Sequence, residues 1–138
     1  MILVDANILM YAAGAEHPNK LPSVRFLKSV AAGDTEGVLD AEVLQEILHR
    51  YRAIRRWDVG RAVYDRARQI FSVVLPITAE SLDQARAHLD SFAGISARDA
   101  LHAAVMETYG IDTLCSYDQG FDAIAGVHRA DPAELLSA

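Results

Sequence analysis

An α/β fold with a mainly parallel sheet is predicted by three observations: short apolar runs recur along the chain, stretches of helical periodicity separate them, and the two kinds alternate throughout. Residues 1–4 form the first strand. Residues 6–13, apolar and alanine-rich, form a helix that Gly14 ends. After Pro18 and Pro22, the spacing of Val24, Phe26, Leu27, Val30 and Ala31 predicts a second helix stopping before Gly33, and residues 37–39 a brief strand. Val43, Leu44, Ile47, Leu48, Tyr51 and Ile54 repeat at helical period. Trp57-Asp58 marks a junction, with Asp58 as the N-cap of a helix reaching Phe71.

The second half repeats the alternation. Residues 72–77, centred on Val73, Val74 and Leu75, read as a strand, and Thr78 or Ala79 opens a helix to Ser91. A loop holding Gly94 leads to a helix over 96–109 closed by Gly110. Residues 112–116 form the next strand, 121–124 a helical turn, and Val127-His128 an edge strand. No repeat, low-complexity segment or linker divides the 138 residues, so one domain spanning 1–138 is expected.

Composition narrows the function. An apolar fraction of 51% with 23% charged residues fits a globular chain. A single cysteine, Cys115, excludes an internal disulfide, and no cysteine–histidine cluster suits zinc. No apolar stretch approaches the roughly 18 residues of a membrane helix, and Asp5 interrupts the opening apolar run, so a cytoplasmic protein without a membrane partner is expected. The net charge of −6 argues against a generally basic nucleic-acid-binding surface. Yet seven of the thirteen basic residues are Arg50, Arg52, Arg55, Arg56, Arg61, Arg66 and Arg68, offset by Asp58 and Asp65 alone. That stretch is either a solvated pair of helices or a local surface for an anionic partner.

Four carboxylates fall where a parallel sheet would gather them. Asp5 closes the first strand, Asp118 follows the strand at 112–116, and Glu46 and Asp99 stand near the starts of two helices. The carboxyl edge of such a sheet is its ligand-binding crevice. Mutually repelling acids there cost stability unless a cation fills the space, and Mg²⁺ or Mn²⁺ suits oxygen ligands. Each acid also has a structural explanation. Asp5 suits an N-cap, although Asn7 would be a redundant second polar group. Glu46 is placed to pair with Arg50. Asp99 completes a capping-box spacing with Ser96, and Asp118 suits a turn. Asp122, one helical turn further, is an indirect ligand or a surface residue; His102 reads as a surface or semi-buried histidine.

The segments Leu3-Val4-Asp5-Ala6-Asn7, Ala41 to Leu48, Ser96 to Ala104, and Ser116-Tyr117-Asp118 with Phe121 together resemble the four acidic motifs of PIN domains. In length and motif order the chain is most similar to the VapC-type toxins of toxin–antitoxin operons, and the likeness spans nearly all of it. The resemblance implies a three-layer α/β/α sandwich around a mainly parallel sheet of four to five strands. It also implies an Mg²⁺- or Mn²⁺-dependent endoribonuclease, RNA as substrate, a cognate antitoxin that inserts into the site, and a homodimer. Asp5, Glu46, Asp99 and Asp118 would be catalytic metal ligands, and Ser116 matches the small hydroxyl residue that supports the first aspartate. Arg50, Arg55, Arg56 and Trp57 would contact RNA or antitoxin. A PIN domain of RNA processing without an antitoxin, or a PIN-like binding module without turnover, are the alternatives. A haloacid-dehalogenase-like phosphatase is disfavoured because Asn7 stands where it needs a second aspartate. A receiver domain is disfavoured because no lysine follows Lys28.

Overall fold

Side-chain alternation along three adjacent strands creates two cores. Strands β1 (Ile2–Val4), β2 (Gly37–Asp40), β3 (Val74–Leu75), β4 (Thr113–Cys115) and β5 (His128–Ala130) form one sheet in the order β3-β2-β1-β4-β5. Every pairing is parallel; Leu3 lies opposite Val38 on one side and Leu114 on the other. Those three side chains face one core, while Val4, Leu39 and Cys115 face the second. Burying each large apolar side chain contributes about 1.5–3 kcal/mol. The computed structural model describes residues 1–137, and Ala138 lies outside them.

Helices α1 (Ala6–Ala13), α2 (Lys20–Ala31), α3 (Ala41–Ala53) and α4 (Trp57–Ile70) supply Ile8, Phe26, Ile47 and Val63 to the core on the Val4 side. Helix α6 (Ala97–Tyr109) supplies Ala103, Val105 and Met106 to the Leu3 side, and its other face packs on α5 (Ala79–Ser91) through Ala85 and Ala104. Helix α7 (Pro132–Ser137) follows β5. The result is the expected α/β/α sandwich. None of the described helices is long and apolar enough to cross a membrane.

Local chemistry sets the boundaries. Ser96 Oγ accepts the Asp99 N–H at 3.1 Å to start α6, and Gly110 ends it in the left-handed region at φ 66°. Helix α2 begins before Pro22, since a proline in the first turn forfeits only an N–H that has no partner anyway. The strand expected over 72–77 pairs only at Val74–Leu75, because it is an edge and Pro76 cannot donate. Asp58 is not an N-cap: α4 already begins at Trp57, and the Asp58 carboxylate meets Arg56 Nε at 3.3 Å instead. The reversal is made by Arg55 at φ 58°, which seats Gly60 so closely on Tyr51 that an added Cβ would lie 2.5 Å from the tyrosine Cβ.

Candidate metal centre

With β1 central, the chain passes to β2 on one side and β4 on the other, and the carboxyl ends of these strands bound a crevice at the point where the order reverses. Asp5 leaves β1 there, Asp40 ends β2, and Ser116 follows β4. Asp5 has the extended backbone of an N-cap but makes no side-chain cap bond. Its Oδ2 instead accepts from Ser116 Oγ at 2.6 Å and from Asn7 Nδ2 at 3.2 Å. Ser116 Oγ in turn accepts the Asp118 N–H at 3.0 Å, tying the loops after β1 and β4 together. Burial raises the basicity of the Asp5 carboxylate, and the Glu46 charge adds to it.

Glu46 lies on the buried face of α3. Its ion-pair partners among the described residues are Arg98 at 3.6 Å and His102 at 3.5 Å, rather than Arg50. Arg98 is 61% exposed, so that pair contributes at most about 1 kcal/mol. Glu46 Oε2 is buried and has no hydrogen-bond partner. An unsatisfied buried acceptor of this kind costs about 1–3 kcal/mol.

The expectation of a surface or semi-buried His102 is corrected: it is 1% exposed. Helix α6 is buried continuously from Ala100 to Met106, so no face of this segment is left for a polar side chain to escape along. His102 Nδ1 lies 2.6 Å from Asp40 Oδ2, and Asp40 is 0% exposed. Asp40 Oδ1 accepts the Val43 N–H at 3.0 Å, which makes it the N-cap of α3 as well. His102 Nε2 is buried without a hydrogen-bond partner. Burial alone would lower the imidazole pKa, but the Asp40 charge and hydrogen bond, aided by Glu46, raise it well above the usual range.

One ligand atom each from Asp5, Glu46 and His102 lies within 4.8 Å of the others. Bonds of about 2.0–2.6 Å to a shared ion span that separation. The fit to a divalent cation therefore rests on a cluster of two carboxylates and an imidazole in which two buried atoms, Glu46 Oε2 and His102 Nε2, have no hydrogen-bond partner.

Asp99 and Asp118 form a second pair beside this cluster. Both border Gly120: a Cβ there would lie 3.0 Å from Asp118 Oδ1 and 3.3 Å from Asp99 Oδ2. Partial burial raises the Asp99 pKa, and the Asp118 charge adds to the effect. Asp118 Oδ1 also accepts the Gly120 N–H at 2.9 Å. Asp122 is held by Arg129, at 2.9 Å through Nε and 3.1 Å through Nη2, which keeps its carboxylate below the usual range. Arg129 Nη1 donates to the Ser116 carbonyl at 3.1 Å, so Asp122 reaches the site only through that arginine.

The arginine-rich stretch divides. Arg50 joins Arg98, Asn7 and Glu46 in lining a cleft of about 780 Å³ that opens beside the acids, with His17 and His49. In that cleft Tyr11 meets His17 with ring centres 4.7 Å apart and tilted by 37°, and behind it lies edge-on to Tyr117 at 5.2 Å. Arg55 and Arg56 lie at the exposed turn before α4, and half-buried Trp57 packs over Gly60. Helix α4 also borders a second cleft of about 790 Å³ with α1 and α2, lined chiefly by Leu9, Leu27, Val59, Val63 and Ile70.

The PIN domain family matches residues 2–127. Ribonuclease VapC13 of Mycobacterium tuberculosis is 47% identical over 129 residues, covering 94% of this chain and 98% of the relative. Among solved structures, M. tuberculosis VapC20, described as a Sarcin-Ricin loop cleaving toxin, aligns with a TM-score of 0.78 at 23% identity over 96% of this chain and 100% of that one. VapBC2 from Rickettsia felis, bound to a DNA fragment from its promoter, gives 0.73 at 19% over 95% and 98%. At those identities the two structures speak for the fold alone.

Proposed function

Because the chain belongs to the PIN domain family, we propose that it is an Mg²⁺- or Mn²⁺-dependent endoribonuclease, the toxin of a VapBC-type toxin–antitoxin pair. The observation that carries this reading is the convergence of Asp5 and Glu46 from different elements onto one point, with a buried carboxylate oxygen left unpartnered. Asp5, Glu46, Asp99 and Asp118 would hold the metal.

A phosphodiester resists hydrolysis because its anion repels an incoming hydroxide and its alkoxide leaves poorly. A bound divalent ion supplies both a more acidic water and neutralisation of charge growing on the phosphoryl oxygens. The chain's own residues provide position. Ser116 and Asn7 fix the Asp5 carboxylate, and the rigid start of α6 presents Asp99 beside Asp118. Glu46, on the buried side of α3, would hold the ion or position a water beside it. Arg50 and Arg98 would bind RNA phosphates along the adjoining cleft, and Tyr11 with His17 offers an aromatic wall for a base.

The naming of VapC13 as a ribonuclease and the pairing in VapBC2 support an RNA substrate and an antitoxin partner. The apolar cleft between α1, α2 and α4 suits an apolar antitoxin segment, with Arg66 and Lys28 at its margin. Exposed Leu82 and Leu89, two turns apart on α5, favour the homodimer. A cytoplasmic location follows from an RNA target.

The test is incubation of RNA with Mg²⁺, Mn²⁺ or EDTA, using wild type and Asp5→Asn. Cleavage should need the ion, and Asp5→Asn should lower it by about 10²-fold or more, the scale of several kcal/mol of lost charge stabilisation. The asparagine oxygen still accepts from Ser116, and a repelled buried carboxylate is gone, so the variant should melt no lower than wild type in EDTA. Cleavage that survives EDTA, or that Asp5→Asn retains, overturns the proposal.

A further inference from the structure

We propose that His102 Nε2 is a direct ligand of the divalent ion, so that the centre is a mixed nitrogen–oxygen site rather than an all-carboxylate one. The inference rests on the reading that the acidic cluster takes such an ion. Three observations carry it. The ligand atoms of His102, Asp5 and Glu46 lie within 4.8 Å of one another. Nε2 is buried, comes to 3.5 Å from Glu46 Oε1, and makes no hydrogen bond. The opposite nitrogen is 2.6 Å from a carboxylate that is itself wholly buried.

The last arrangement is what a metal-binding histidine needs. A carboxylate behind the ring holds the proton on Nδ1, fixes the ring plane, and leaves the Nε2 lone pair facing the ion. Asp40 is in turn fixed by capping α3 through its other oxygen. Phe121, with its ring centre 6.2 Å away at 48°, closes one side of the imidazole. An imidazole ligand also weighs against Mg²⁺, which binds through oxygen and keeps several waters.

Asp40→Asn separates this role from a structural one. The Val43 N–H still requires an acceptor, so the asparagine oxygen must stay at the cap and its NH₂ must face His102. Nδ1 then becomes an acceptor, the ring proton moves to Nε2, and the lone pair is lost to the metal. The helix cap survives, which a melting curve checks.

The experiment is pulsed electron paramagnetic resonance on the Mn²⁺-loaded full chain, with Mn²⁺ and Mg²⁺ affinities measured alongside. Wild type should show coupling of Mn²⁺ to one imidazole nitrogen, replaced by the ¹⁵N pattern when histidine is labelled, and His102→Gln should remove it. Asp40→Asn should remove it too, lowering Mn²⁺ affinity about 10–100-fold and Mg²⁺ affinity less. Bound Mn²⁺ without nitrogen coupling in wild type overturns the inference even if RNA is cleaved, and needs no variant to fold. Coupling and affinity unchanged in Asp40→Asn also overturn it. Nitrogen coupling in a protein that cleaves no RNA upholds it while the nuclease reading fails. Absence of Mn²⁺ binding sinks both.

Discussion

Gly120→Ala isolates the Asp99–Asp118 pair without touching either carboxylate. The added methyl would lie 3.0 Å from Asp118 Oδ1 and 3.3 Å from Asp99 Oδ2, whereas ordinary contact begins at 3.4 Å. The oxygens must therefore retreat by about 0.4 Å and 0.1 Å. A misplacement of 1 Å at a reacting centre costs about 10²-fold, so a shift near 0.4 Å should cost roughly five- to tenfold in kcat. The backbone at Gly120 is not in the left-handed region, and alanine keeps the N–H that Asp118 accepts. Restricting the unfolded chain favours alanine by about 0.4–1 kcal/mol, offsetting part of the crowding. Activity should fall while the melting temperature stays within a few degrees, and Mn²⁺ should bind more weakly. The assay is cleavage of a fluorogenic RNA across an Mn²⁺ titration, with thermal unfolding of the same samples. Full activity with unchanged Mn²⁺ dependence would refute a tightly placed role for Asp99 and Asp118. A large loss of stability would refute the assumption that the turn tolerates the methyl.

Two further outcomes follow from charge. Asp5, Asp99 and His102 all have folded pKa values above their unfolded ones, so the metal-free folded state binds more protons than the unfolded chain. Their stabilising contribution is complete below the unfolded values, about 3.9 for the aspartates and 6.5 for histidine, and declines as pH rises through the folded values. In EDTA these groups should lower the melting temperature as pH rises, the aspartates from about 3.9 and His102 from about 6.5, and Mn²⁺ should flatten or reverse the fall because it needs deprotonated ligands; a rise above about pH 6.5 in EDTA would contradict the assignment. Arg50→Ala should reduce the salt dependence of RNA binding by roughly 0.7 in the log–log slope, one phosphate contact on a single strand. An unchanged slope measured by fluorescence anisotropy would remove Arg50 from the RNA path.

The acids at strand ends were legible because the strands are short, apolar, buried at their carboxyl ends and bounded by the acids themselves: Val4 leads into Asp5, and Cys115 into Ser116 and Asp118. Periodicity also located α3, and the Ser96–Asp99 capping spacing with Gly110 located α6, and with them Glu46 and Asp99. What the sequence hid was pairing at long range. Asp40 and His102 stand 62 residues apart. Asp40 precedes a helix like any capping aspartate, and it does cap, so its second oxygen left no local trace. A signal for His102 was present in the apolar run from Ala100 to Met106, where helical geometry leaves a histidine no exposed face. Asp58 misled for the opposite reason. Its type and position suit a cap, but packing of Gly60 on Tyr51 decides where α4 begins, and that contact belongs to tertiary structure.

The same packing explains how acids can cluster without unfolding the protein. Asp5, Asp40 and Glu46 are each at most 8% exposed, and the basic groups that face them are the buried His102 imidazole and Arg98, which reaches in from solvent. Asp40 takes one imidazole nitrogen at 2.6 Å, and Glu46 meets the other only at 3.5 Å. Ser116 and Asn7 relieve Asp5 by hydrogen bonding, but nothing relieves Glu46 Oε2. A carboxylate left so would ordinarily rotate outward to water. Here α3 is pinned at one end by Asp40 and along its length by Val43, Ile47 and Tyr51 in the core, so the backbone bearing Glu46 is held in place. The unsatisfied Glu46 oxygen is thus held in place by apolar packing elsewhere. That makes the fit to a cation a property of the folded chain, independent of which RNA or partner it meets.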